Sequence, residues 1–126
     1  MFQILIIRLL ATTAVFLIGL ASGLGLSAAS STLKTPLIRT ILENSRVLVN
    51  EVAYETGAHR GTHLRQNDQV IVFVDDARYE VVSPDGKKET KTRKSGEVIW
   101  HRRGETAPNL TNTGSEPYRT IVINLK

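Results

Sequence analysis

Apolar and polar positions alternate with a short period over most of this chain. Arg119–Leu125 sets Thr120, Val122 and Asn124 on one face and Ile121, Ile123 and Leu125 on the other, the period of a half-buried strand. Gln69–Val74 is Gln-Val-Ile-Val-Phe-Val, rich in β-branched residues, and the turn pair Asp75-Asp76 separates it from Ala77–Val82. Ser83-Pro84-Asp85-Gly86 reads as a turn, because proline presets φ and glycine takes the position with φ above zero. Lys87–Arg93 mixes charged residues with Thr, as a solvent-facing return strand does. Glu97–His101 follows Ser95-Gly96 as a further strand, and Arg46–Tyr54 is another upstream. Leu37 to Asn44 fits either one helical turn or an edge segment. The pattern predicts about seven short strands with turns between them and no long helix. The class is all-β, closed as a barrel or paired as a sandwich.

The first 29 residues follow a different pattern. Twenty of them are hydrophobic, against 32 of the remaining 97, and Arg8 is their single charge. Leu9 to Leu20 has the length of a signal-peptide core, and Ser27 and Ala29 fit the small-x-small rule for cleavage after Ala29. Uncharged residues 9–29 are also long enough to cross a bilayer, so an uncleaved anchor is the other reading. Either one puts the rest of the chain outside the cytoplasm, periplasmic or extracellular. Residues 30–42 read as a Ser/Thr-rich tether and first edge segment, and residues 43–126 as the folded domain.

Charge and composition narrow the chemistry. The chain carries a formal +4 and no cysteine, so it has neither a disulfide nor a thiol nucleophile. Lys87, Lys88, Lys91, Arg93 and Lys94 form the dense basic run. No aromatic is interleaved, so the run reads as a solvated hairpin edge, where lysine opposes strand-to-strand aggregation, and nucleic acid is not an expected partner. There is no G-x-S-x-G elbow and no phosphate-cradling loop.

The order of strands and turns carries a resemblance. Glu43-Asn44-Ser45-Arg46-Val47 opens a strand, and Gly57 precedes His63 by six residues. A strand at 68–74, the turn Ser83-Pro84-Asp85-Gly86 and Gly96-Glu97-Val98-Ile99-Trp100 follow. Asn112-Thr113-Gly114-Ser115-Glu116-Pro117 leads into the last strand. Residues 43–126 thereby resemble the small single-domain cupins, whose fold is a jelly-roll β-barrel. The resemblance implies a homodimer and, in metal-binding members, a divalent metal held inside the barrel by three His and one Glu.

This chain departs from the metal motifs. His63 falls at the first His position, Arg65 at the second and Gln69 at the Glu. The third His falls on Ala107, or on Pro108 if the loop is one residue longer so that Asn112 matches the motif's Asn. A guanidinium cannot lose its proton to become a ligand, so the metal site is degenerate and no cofactor is expected. His59 and His101 are the other histidines, and a three-His site with His63 is the remaining metal alternative.

If His63, Arg65 and Gln69 face the barrel interior, they offer a fixed fork of donors and an amide, which suits a carboxylate or another small anion. Phe73 and Trp100 are candidate apolar walls of that cavity. The plainer alternative has Arg65 at the rim, paired with Asp68 or a neighbouring acid, and the aromatic residues as core. The expectation is an exported cupin-like barrel that binds a small ligand or a partner without metal catalysis. A metal-dependent enzyme of dioxygenase or isomerase type using His63, and a structural or interaction module held at the membrane by residues 1–29, are the alternatives.

Overall fold

The computed structural model describes residues 33–126. The signal peptide or anchor expected in residues 1–29 lies outside the described residues. Eleven strands follow in order: β1 Leu37–Glu43, β2 Val47–Tyr54, β3 His59–Arg60, β4 His63–Leu64, β5 Asp68–Phe73, β6 Ala77–Val82, β7 Lys88–Arg93, β8 Val98–His101, β9 Thr106–Ala107, β10 Asn109–Thr111 and β11 Tyr118–Leu125. They form a five-stranded sheet ordered β1-β2-β11-β5-β8, a four-stranded sheet ordered β3-β10-β6-β7 and the two-stranded ladder β4-β9.

Of the two readings of Leu37 to Asn44, the edge strand forms. It pairs antiparallel with β2 and carries a bulge between Thr40 and Leu42. All seven of its residues are exposed, Leu37, Ile38, Ile41 and Leu42 among them. Asn44 ends it in a turn, its side-chain oxygen accepting the backbone N–H of Arg46 at 2.8 Å and of Val47 at 2.9 Å. Lys88, Lys91 and Arg93 of the basic run lie on β7, an edge of the four-stranded sheet, and Lys87 and Lys94 flank it. The β6–β7 hairpin turns at Gly86, with φ of 87°.

Alternation decides what enters the space between the two larger sheets. Val52 and Tyr54 of β2, Phe73 of β5, Ala77, Tyr79 and Val81 of β6 and Tyr118 of β11 are buried there. The Tyr54 and Tyr118 rings stack at 4.9 Å. Burying side chains of this size stabilises the fold by about 1.5–3 kcal/mol each. One polar residue belongs to the same core. Asn112, 1% exposed, donates to the carbonyls of Tyr54 at 3.1 Å and Glu116 at 3.0 Å. Its own oxygen accepts the Gly114 N–H at 3.0 Å. Gly114 packs so closely that a Cβ there would lie 3.2 Å from the Arg78 carbonyl oxygen.

Candidate functional site

Inward-facing rows of side chains build the lumen. β5 contributes Gln69, Ile71 and Phe73. β8 runs antiparallel to it, with Ile99 opposite Ile71 and His101 opposite Gln69. Residues opposite one another share a face, so Ile99 and His101 point inward. Trp100 is therefore on the outer face, 52% exposed. This corrects the expectation that it would line the cavity with Phe73: the register puts the other half of β8 inside. β11 adds Thr120, Val122 and Asn124 to the lining.

Arg65 follows β4 and is clamped through its backbone, donating its N–H to the Glu105 carbonyl and accepting from the Gly104 N–H, both at 2.9 Å. Its side chain is 5% exposed. Nη1 donates to Gln69 Oε1 at 2.8 Å, Gln69 Nε2 donates to Asn124 Oδ1 at 2.8 Å, and Asn124 Nδ2 donates to the Leu48 carbonyl at 3.1 Å. The alternative placement at the rim does not form: Asp68 instead accepts the Arg103 N–H at 2.8 Å. Arg60, on β3, was not singled out by the sequence. It donates from Nη2 to the Pro108 carbonyl at 2.9 Å. The Nε–H groups of both arginines are buried without a hydrogen-bond partner, as is the hydroxyl of Tyr118.

Two adjoining chambers share Tyr54, Arg60, Arg65, Ile71 and Val122. One has a volume of about 140 Å³ and is mostly apolar, with Phe73, Tyr79, Ile99 and Leu110 in its wall. The other, about 200 Å³, includes Asn50, His63, Gln69 and Asn124. The structure thus brings His63, Arg65 and Gln69 to one chamber, and Arg65 and Phe73 to the other. His63 itself is exposed, its Nδ1 3.4 Å from the Gly61 carbonyl.

The electrostatics are one-sided. Arg60, Arg65, Lys91 and Arg93 all line the apolar chamber, and among the described residues no Asp or Glu lines either chamber. Arg93 and Lys91 have their own carboxylates, Glu97 at 2.8 Å and Glu89 at 3.6 Å. Arg60 and Arg65 have none within 4.0 Å among the described residues. Burial, and then the neighbouring Arg60, push the Arg65 guanidinium below its usual range. Burial lowers His101, reinforced by Arg65, and partial desolvation of the otherwise exposed His63 lowers it too, with Arg60 and Arg65 adding to that. Burial pushes the Tyr118 phenol far up, so it stays protonated.

A divalent metal does not fit these residues. His63 pairs with Ala107 across the β4–β9 ladder, so a methyl group stands opposite the one retained family ligand position. Arg65 and Gln69 are engaged with each other. His59 is held by Thr111 Oγ1 at 2.9 Å, and among the described residues no group of three or more His, Cys, Asp or Glu side chains is placed to hold a metal ion.

Two antiparallel sheets closed over a lined lumen, with a two-stranded ladder beside it, define a jelly-roll barrel. The chain is a cupin-fold protein. It is similar to a cupin domain from Bordetella pertussis, with a TM-score of 0.69 and 21% identity over 77% of this chain and 99% of that one. It is also similar to the polyketide cyclase RemF from Streptomyces resistomycificus, with a TM-score of 0.61 and 19% identity over 73% and 66% of the two chains. The Cnp3 cupin domain of Schizosaccharomyces pombe gives 0.58 and 17% over 77% and 66%. No protein-family model and no curated protein matches the chain. Identities this low establish shared fold alone.

Proposed function

We propose that this is an exported cupin-fold protein that binds a small anionic molecule inside its barrel, without metal chemistry. The observation that carries the reading is the pair Arg60 and Arg65, both in the walls of both chambers and neither with a carboxylate partner among the described residues. A buried charge without a counter-ion is costly to a folded protein. An anionic ligand supplies that counter-ion. Gln69 aids this by holding the Arg65 guanidinium with a neutral acceptor. Export rests on the apolar residues 1–29.

Thermal melting of the purified full-length protein against inorganic phosphate and a series of small carboxylates tests the reading. At least one anion should raise the melting temperature, and Arg65→Met should abolish that rise. Stabilisation by none of them, or an equal rise in the variant, overturns it, as does near-stoichiometric divalent metal found by elemental analysis of the untagged protein.

A further inference from the structure

The apolar chamber narrows the class of anion. Its volume is about 140 Å³, and Ile71, Phe73, Ile99, Leu110 and Val122 supply aliphatic and aromatic wall. An apolar cavity of about 150 Å³ is large enough to hold benzene. Arg60 and Arg65 stand in the same wall. A free phosphate or an acetate meets the guanidinium groups and leaves the apolar space without an occupant. An uncharged hydrocarbon fills the space and leaves the two cations without a counter-ion. A ligand that satisfies both joins one carboxylate to an apolar body about the size of a benzene ring.

We propose that the barrel takes a monocyclic aryl carboxylate, of the benzoate class, with the carboxylate on Arg60 and Arg65 and the ring in the chamber bounded by Phe73, Ile99 and Val122. The inference rests on the anion-binding reading and adds the ring to it.

Isothermal titration of the full-length protein with benzoate, acetate, inorganic phosphate and benzyl alcohol separates the two levels. Benzoate should bind more tightly than each of the other three by about tenfold or more, a difference of about 1.4 kcal/mol. Arg65→Met should abolish benzoate binding. Ile99→Trp, which fills the chamber from the edge strand β8, should weaken benzoate by about tenfold while leaving the far-ultraviolet circular dichroism unchanged. If acetate or phosphate binds as tightly as benzoate, and Arg65→Met abolishes that binding, the aryl class is wrong and the anion site stands. If benzyl alcohol matches benzoate, or if none of the anions binds, both readings fall. Unweakened benzoate binding by a folded Ile99→Trp variant removes the ring from this chamber.

Discussion

Replacing Arg65 with methionine should make the ligand-free protein more stable, although the residue is 5% exposed and hydrogen-bonded. Methionine follows the stem of arginine without the guanidinium, and both backbone hydrogen bonds of residue 65 survive. The substitution loses the charged hydrogen bond to Gln69, which contributes about 1.5–3 kcal/mol. It also removes a buried cation with no carboxylate within 4.0 Å, offset only by the more distant Glu105, and the desolvation of such a charge costs several kcal/mol even after relaxation. It further removes an orphaned Nε–H worth about 1–3 kcal/mol of penalty, and the repulsion from Arg60. The balance favours the variant by about 1–3 kcal/mol. For a domain of this size that raises the melting temperature by roughly 5–15 °C. Differential scanning calorimetry of exhaustively dialysed wild type and variant measures it. A variant that melts roughly 5 °C or more below the wild type would show that Arg65 holds the fold together, and the argument from an uncompensated charge would be lost.

Two further outcomes follow from the same geometry. Asn112→Ala leaves the Tyr54 and Glu116 carbonyls and the Gly114 N–H without partners in the core; it should cost about 3–5 kcal/mol in urea unfolding, and a cost below about 1 kcal/mol would contradict its role as a staple. His63 and His101 have folded pKa values below their unfolded ones, chiefly through burial. The unfolded chain therefore takes up protons first, and stability should fall as pH drops below about 6.5. His101→Gln should flatten that fall in urea midpoints measured from pH 8 to 5.5, and an unchanged slope would show that His101 does not contribute. A bound anion favours the imidazolium form, so affinity for a ligand that stays ionised should rise as pH falls over the same range. Titration calorimetry showing no such rise would separate the histidines from the ligand.

The long strands, the Ser83–Gly86 turn and the edge position of the basic run were legible in the sequence because period, turn chemistry and charge are local. The strands at 59–60, 63–64, 106–107 and 109–111 were not, since two or three residues carry no period. At the site, Arg65 and Gln69 could be placed by the resemblance to the metal motif and Phe73 by its alternation with Gln69, whereas Trp100 could not. Hydrophobicity favours its face of β8, and only the pairing of His101 with Gln69 shows that the opposite face is inside. β11 repeats the lesson. Its more polar face, with Thr120, Val122 and Asn124, lines the chambers, while Ile121 and Ile123 face the other way. A lumen with polar work in it does not follow the rule that the greasier face of a strand is buried. Arg60 was hidden for another reason: its place beside Arg65 depends on β3 pairing with β10, a contact between residues far apart in the chain.

The chain of amides from Gln69 through Asn124 to Leu48 has a direction. The Leu48 carbonyl takes the Asn124 N–H, which turns the Asn124 oxygen to Gln69, which in turn presents its own oxygen to Arg65. The guanidinium is aimed without being neutralised. A glutamate at position 69, the residue type that the metal-binding pattern has there, would keep the acceptor but become an internal counter-ion, and it has no N–H to give Asn124. The barrel would then carry its own plug, an ion pair at the place where a ligand's charge should go. On the proposed reading, an amide at this one position leaves the guanidinium free for a ligand's charge, and a carboxylate would occupy it from within.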